Sequence, residues 1–328
     1  MGLYGCKSPA SEGREWRFAL EEIKGGVQDA YAMRFKALIE ERSQSEITVS
    51  VYPYGTLGTS DQITELVNNG AVHFAMASPG HLGKIIPEVQ VFLLHFLLSD
   101  DDNINRQIYR ELQKMPVFKT LYAEKGLEFL AFYPEGWMAW TTQQPVRRPE
   151  DFAGMKLRVM TSSLLLAAYQ NYGASPIAMP YSEIYSALQL KMIDGQVNPV
   201  FAIEEMSFYE VTDYLIFPRQ AQFIGSAVAS QAFFERLPAS EQQMVREVIA
   251  QVNDEIYDVQ AEYNRERLEV IAERSDIQMI KLNDAERAAF AEAYQPVYDI
   301  YKNLAGERGA ALLADVQALV ARMQAAQS

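Results

Sequence analysis

A chain of 328 residues with 43 acidic and 29 basic side chains has a formal charge of -14, a surface that repels nucleic acid and anionic membranes. Its single cysteine, Cys6, and three histidines, His73, His81 and His95, are too few for a disulfide framework or a Cys/His zinc site, so no metal or cofactor is expected. The length accommodates two lobes, and the longest apolar stretches, such as residues 89–98, are about half of what spans a bilayer.

Residues 1–13 lack hydrophobic periodicity and read as a disordered or tethering leader. Within them Leu3-Tyr4-Gly5-Cys6, followed by a polar run, resembles the tail of a lipoprotein signal, which makes Cys6 a candidate lipid anchor; an incidental free thiol is the alternative. Residues 17–21 alternate as a strand that ends in acids, and 29–43 carry helical spacing through Ala32, Phe35, Leu38 and Ile39. Residues 47–52 alternate again until Pro53-Tyr54-Gly55 breaks them, ahead of a helix beginning near Ser60, whose hydroxyl can cap it. Residues 72–78 repeat the strand pattern and run into Pro79-Gly80. Three strand-to-helix junctions predict a parallel sheet with helices on both faces, with candidate ligand positions at the carboxyl ends of its strands: Glu21, Glu22 and Ser78.

Residues 126–133 predict a further strand, and after Pro134-Glu135-Gly136 the chain continues through 137–142 as the first crossing between lobes. Short strands at 155–160, 177–178 and 196–199, separated by helical stretches at 162–172 and 182–191, build a second α/β lobe. Residues 239–274 form the longest helical pattern, roughly 50 Å at 1.5 Å per residue, enough to brace both lobes, and 283–328 add Ala-rich helical segments.

In Lys156-Leu157-Arg158-Val159-Met160 alternation sets Arg158 on the face opposite Leu157 and Val159, where its guanidinium can offer a fork of donors to a carboxylate. Gly173-Ala174-Ser175-Pro176 leads through Tyr181 into an N-capped helix containing Glu183-Ile184-Tyr185-Ser186-Ala187-Leu188-Gln189. Asp194-Gly195-Gln196-Val197-Asn198-Pro199 is a turn and brief strand whose Asn198 amide both donates and accepts.

In this order the four pieces resemble the signature of the TRAP (tripartite, ATP-independent) solute-binding proteins, and the resemblance extends from Trp16 to about Leu313. It implies a periplasmic, two-lobed clamshell of type II-like α/β fold with a long bracing helix. Lobe I is expected over residues 14–135 plus 224–263, and lobe II over 136–223 plus 264–328. It also implies a ligand in the cleft, Arg158 on its carboxylate, Asn198 assisting, and TRAP permease subunits as membrane partners. Trp16-Arg17-Phe18-Ala19-Leu20-Glu21-Glu22, Gly26-Val27-Gln28-Asp29, Ser78-Pro79-Gly80 and Tyr133-Pro134-Glu135-Gly136 look closest to ectoine-binding members, in which an acid matching Glu22 faces the cationic ring of a zwitterion.

His81, Tyr181 and Ala202 depart from the aromatic cage expected of ectoine binders. Met138 stands where many family members have a second basic residue, which argues against a dicarboxylate held by two arginines. Trp137, Tyr181, Phe201 and Phe223 are candidate apolar lining, and His81 is either a donor to ligand or part of a helix start. No nucleophile–base pair, metal cluster or cofactor fingerprint supports an enzyme. Adjacent strand acids, as Glu21 and Glu22 are read here, point to opposite faces and do not flank one bond. A binding protein that reports to a signalling receptor is the remaining alternative.

Overall fold

The computed structural model describes residues 14–326; the leader and Cys6 lie outside them. Strand β1 (Arg14–Ala19) lies between β2 (Ile47–Tyr52) and β3 (Phe74–Ala77), parallel to both. Helix α1 (Val27–Arg42) joins β1 to β2 and buries Tyr31, Phe35, Leu38 and Ile39. Helix α2 (Ser60–Asn68) follows β2. Its N-cap is Thr59, whose backbone N–H donates to Gln62 Oε1 at 2.8 Å; Ser60 is a buried first-turn residue and not the cap. A single turn, α3 (Pro79–Leu82), leaves β3.

Residues 87–123, where sequence periodicity predicts no element, form a buried 3-10 turn (Pro87–Leu93) and helices α4 (Asp102–Leu112) and α5 (Pro116–Ala123). One strand, β4 (Leu127–Thr142), then runs through Pro134-Glu135-Gly136, as the crossing expected there does. The interruption is a shift of register against residues 222–230 between Pro134 and Gly136, with Gly136 at φ +117°, so turn-forming residues here bend a continuous strand.

Beyond that bend β4 enters a second set of strands. These are β5 (Leu157–Val159), β6 (Ile177–Ala178), β7 (Gly195–Pro199) and β8 (Tyr214–Phe217), with α6 (Ser163–Asn171), α7 (Ile184–Gln189) and α8 (Val200–Glu205) between them. Helix α7 begins from a 3-10 turn (Tyr181–Glu183) with no side-chain cap, unlike the capped start predicted. Strand β9 (Gln222–Ser230) returns to the first set, and a short α9 (Gln231–Phe234) leads to α10 (Ala239–Arg274), β10 (Gln278–Lys281) and α11 (Asp284–Ala325), the last broken at Gly306.

The strand order is β2-β1-β3-β9-β4-β7-β5-β6, with β8 on β4 and β10 on β8. Pairing is parallel within β2-β1-β3 and β7-β5-β6, as the βα junctions require, but antiparallel wherever β4 or β9 is involved. The all-parallel expectation fails there because β4 and β9 are connections running between lobes, not βα units. Helix α10, about 54 Å at 1.5 Å per residue, packs on α1, β4 and α8. Arg34 pairs with its Glu255 at 2.7 Å, and its Arg267 reaches Glu204 at 3.5 Å. The fold is thus the two-lobed α/β clamshell, braced by a long helix. No helix among the described residues is long and apolar enough to cross a membrane.

Candidate functional site

Strand β1 stops at Ala19, and the chain bends through Glu21 and Glu22 before Gly25, at φ +102°, turns it into α1. Lying beyond the strand, the two acids escape its alternation; both line one pocket, which corrects the expectation that they face opposite ways. The pocket encloses about 430 Å³ of open space between the lobes. Glu21 Oε2 accepts from the Ser78 N–H at 2.9 Å, and Glu22 Oε2 from the Gln28 N–H at 2.9 Å. Gln28 joins the acids: its Oε1 accepts from the Glu21 N–H at 2.7 Å, and its Nε2 donates to Glu135 Oε1 at 2.9 Å. The bend in β4 carries Glu135 into the pocket wall, where Gln28 links its carboxyl to that of Glu22.

These acids are costly to ionise in place. Burial, then the facing carboxyl of Glu135, pushes Glu22 well above the usual carboxylate range. Burial lifts Glu135 to about 7 and raises Glu21. Glu205 on α8, whose carboxylate lies beside that of Glu22 at Gly26, is lifted by burial to about 8.

From the other lobe β5 contributes Arg158, only 2% exposed. Its Nε and Nη2 donate to the Met179 carbonyl at 3.0 and 2.8 Å, while Nη1 is buried without a partner. Burial brings the group down to about 10, so it remains a cation at neutral pH, and among the described residues it forms no ion pair. β7 places Asn198 beside it, with Nδ2 donating to Gln196 Oε1, which is itself held as Gln196 Nε2 donates to Thr141 Oγ1 at 3.0 Å. Glu21 Oε1 and Ser78 Oγ are likewise buried and unpartnered. A buried polar atom left unpaired is costly, and these three belong to residues that line one pocket, where a polar group placed among them would restore the missing hydrogen bonds.

His81, in the α3 turn, also lines the pocket, with Nδ1 3.0 Å from Asp61 Oδ1 and 3.1 Å from Thr161 Oγ1. Thr161 follows β5, so this contact spans the cleft, as does Tyr54 OH to Ser182 Oγ at 3.4 Å. Tyr181 packs edge-on to Tyr54 with centroids 5.9 Å apart, and Ala202 and Phe223 complete the wall. Among the described residues no group of three or more His, Cys, Asp or Glu is arranged to hold a metal ion.

The structure therefore brings Glu21, Glu22, Ser78, His81, Arg158, Tyr181, Asn198 and Phe223 together. Three other candidates lie outside this lining. Trp137 donates through Nε1 to Asp102 Oδ1 at 2.7 Å under the Arg219 guanidinium. Met138 lines a neighbouring apolar cavity, since one residue along β4 from Trp137 reverses the face. Phe201 is buried on the inner side of α8, its N–H donating to Asn264 Oδ1 at 3.2 Å. Sequence reasoning passed over Gln28, Ser60 and Glu135. Gln28 and Glu135 sit within the very segments that look closest to ectoine binders, and that resemblance was the available signal.

Residues 22–304 match the family described as bacterial extracellular solute-binding protein, family 7. The chain is 38% identical over 308 residues to the ectoine-binding periplasmic protein TeaA of Halomonas elongata, covering 93% of this chain and 90% of that protein. It is 37% identical over 320 residues to the ectoine/5-hydroxyectoine-binding periplasmic protein UehA of Ruegeria pomeroyi, covering 97% and 94%. The solved structure of the ectoine-binding protein of the TeaABC TRAP transporter of Halomonas elongata superposes with a TM-score of 0.91 at 38% identity, over 94% of this chain and 99% of that one. These relatives are periplasmic binding proteins, not enzymes, and this chain belongs to the same family, the TRAP-type extracellular solute-binding proteins of family 7.

Proposed function

We propose that the protein captures a small zwitterion of the ectoine type in its interlobe cleft and hands it to the membrane permease of a TRAP transporter. The observation that carries this reading is the opposition of charge in one pocket: the unpartnered Nη1 edge of Arg158 from one lobe, the Glu21, Glu22 and Glu135 carboxyls from the other. A carboxylate on the guanidinium gains charge-assisted hydrogen bonds of ~1.5–3 kcal/mol each in a desolvated site. A cationic group at the other end relieves the acids' unfavourable burial. Contacts across the cleft at His81–Thr161 and Tyr54–Ser182 belong to the closed form, which ligand must favour for capture to shift the population. Transport is preferred to signalling because TeaA, matched over most of both chains, is the binding protein of a TRAP transporter.

The test is a thermal-shift screen against ectoine, 5-hydroxyectoine, other zwitterionic solutes, sulfonates, and mono- and dicarboxylates, followed by calorimetry. At 100 times its Kd a ligand adds ~2.7 kcal/mol of stability, a visible shift. Zwitterions are expected to score. A response confined to simple acids would reject the zwitterion reading while leaving Arg158 as the carboxylate anchor.

A further inference from the structure

The pocket holds more acid than a zwitterion with one positive charge requires. Glu22 and Glu135 come from different strand ends, β1 and the bend of β4, yet both line one pocket, and Gln28 bonds to both through its backbone N–H and its side-chain amide. Both are nearly closed to solvent, at 6% and 2% exposure. Two carboxylates in contact and away from water cannot both stay ionised; one proton between them turns repulsion into a hydrogen bond. Gln28 uses one N–H on each acid, and among the described residues no other N–H or O–H donates to either carboxyl to stabilise a second negative charge.

We infer that Glu22 and Glu135 act as one acid pair that holds a single proton in the empty cleft and releases it to solvent when a cationic solute arrives, so that capture of a cation is coupled to proton release. The inference rests on the reading of this cleft as the ligand site, and it adds Glu135 as a residue that determines specificity. In balance, a pair of charge -1 plus a cation becomes two carboxylates around that cation, and one proton leaves to the buffer. A solute with no positive group offers nothing to replace the proton and leaves the pair as it was. The pair thereby discriminates against plain carboxylic acids, whatever Arg158 can do for them.

The surroundings are consistent with this assignment. From α8, Glu205 faces Glu22 and opposes its ionisation, with Arg267, Glu204 and Asp29 around Glu205. From β4, Tyr133 lies near Glu135, its hydroxyl buried and without a partner. Glu21 stands beside Glu135, and Tyr181 and Arg158 close the far side, so among the described residues that line the pocket the one arginine or lysine is the guanidinium reserved for the opposite end of the ligand. Burial and then the Glu135 carboxyl raise Glu22, while burial and the charge of Glu21 raise Glu135 against the lowering effect of Glu22.

Two measurements decide it. Glutamate side-chain 13C NMR of the ligand-free protein should show a carboxyl that titrates near neutral pH and disappears in both Glu135→Gln and Glu22→Gln. Calorimetry with ectoine in buffers of different ionisation enthalpy, at pH 6.5, should give an apparent enthalpy whose buffer dependence corresponds to about one proton released, and close to none in Glu135→Gln. A pair that titrates in the ordinary carboxylate range, or ectoine binding with no buffer dependence, overturns the inference. So does a buffer dependence that survives Glu135→Gln and vanishes in Glu205→Gln, which would put the proton on α8. Failure of ectoine to bind beside a pair that does hold its proton counts against the ectoine reading and in favour of the pair.

Discussion

The Met179 carbonyl accepts from both Nε and Nη2 of Arg158, at 3.0 and 2.8 Å, which fixes the guanidinium plane and leaves the Nη1 edge to the pocket. An ammonium has donors enough for both, but it lacks the planar fork by which the carbonyl fixes a free edge toward the pocket. Arg158→Lys is therefore expected to keep the fold, by circular dichroism and melting, while weakening the solute by about 10- to 100-fold, the equivalent of ~1.5–3 kcal/mol. Unchanged affinity in calorimetry removes Arg158 from the site.

Glu22→Gln separates the two ends of the ligand. With a zwitterion the loss should be about tenfold or more; with a simple carboxylate that uses only Arg158 it should be near zero. Equal losses for the two solute types reject the charge pairing.

His81 Nδ1 and Thr161 Oγ1, 3.1 Å apart, join α3 to the segment after β5 across the cleft. Thr161→Val deletes this bond without changing size much, at a cost of ~0.5–1.5 kcal/mol to the closed form. Stopped-flow release should quicken by about 3- to 10-fold with the association rate little altered. A change confined to association would place the contact outside closure.

Acidity acts on stability through two buried groups in opposite directions. Burial holds His95 down to about 3, with the ordinary value at 6.5, so the unfolded chain takes up a proton that the folded one refuses; the stability it contributes is present above 6.5 and is lost as pH falls through 6.5 toward 3. Burial raises Glu135 to about 7 from 4.5, so the folded state keeps a proton that the unfolded one gives up; its contribution is full below 4.5 and is lost as pH rises through 7. Urea unfolding of the ligand-free protein from pH 4.5 to 8 should therefore show Glu135→Gln gaining on the parent by about 2 kcal/mol across that range. A constant difference shows that Glu135 titrates alike in both states.

Gly225 on β9 faces the Tyr133 ring so closely that a methyl group there would overlap the ring carbons and hydroxyl. Tyr133 is fully buried against Tyr31, with ring centroids 5.4 Å apart, and has nowhere to retreat. Gly225→Ala should cost about 1–3 kcal/mol in chemical denaturation. A neutral result means that the sheet gives way.

Much of the architecture was legible because local pattern and tertiary role agreed. Helix α10 was read at its observed bounds, 239–274, since one apolar stripe faces a single long contact. Residues 214–217, 222–230 and 278–281 were not read as strands: β9 is buried on both faces, with no alternation to see, and β8 and β10 are four residues each. In the site, Arg158 and Asn198 stood out through motif order. Glu135 did not, because a Pro-Glu-Gly string reads as a turn, and only the pairing of β4 with β9 shows that it bends a strand into the pocket. Trp137 and Phe201 looked like lining from their place beside motifs, but the face each takes depends on packing that no spacing encodes.

That bend also carries a mechanical consequence. Glu135 lies at the point where β4 leaves one lobe for the other, and Asn264 of α10 clasps it there, donating from Nδ2 to the Glu135 carbonyl at 2.8 Å while its Oδ1 accepts from the Phe201 N–H at 3.2 Å. On the proposed reading, the carboxyl that meets the solute thus sits at the crossing between lobes instead of on a jaw. A displacement at such a crossing grows with distance along each lobe, so a fraction of an ångström taken up between Glu22 and Glu135 would become a larger movement at the outer rims.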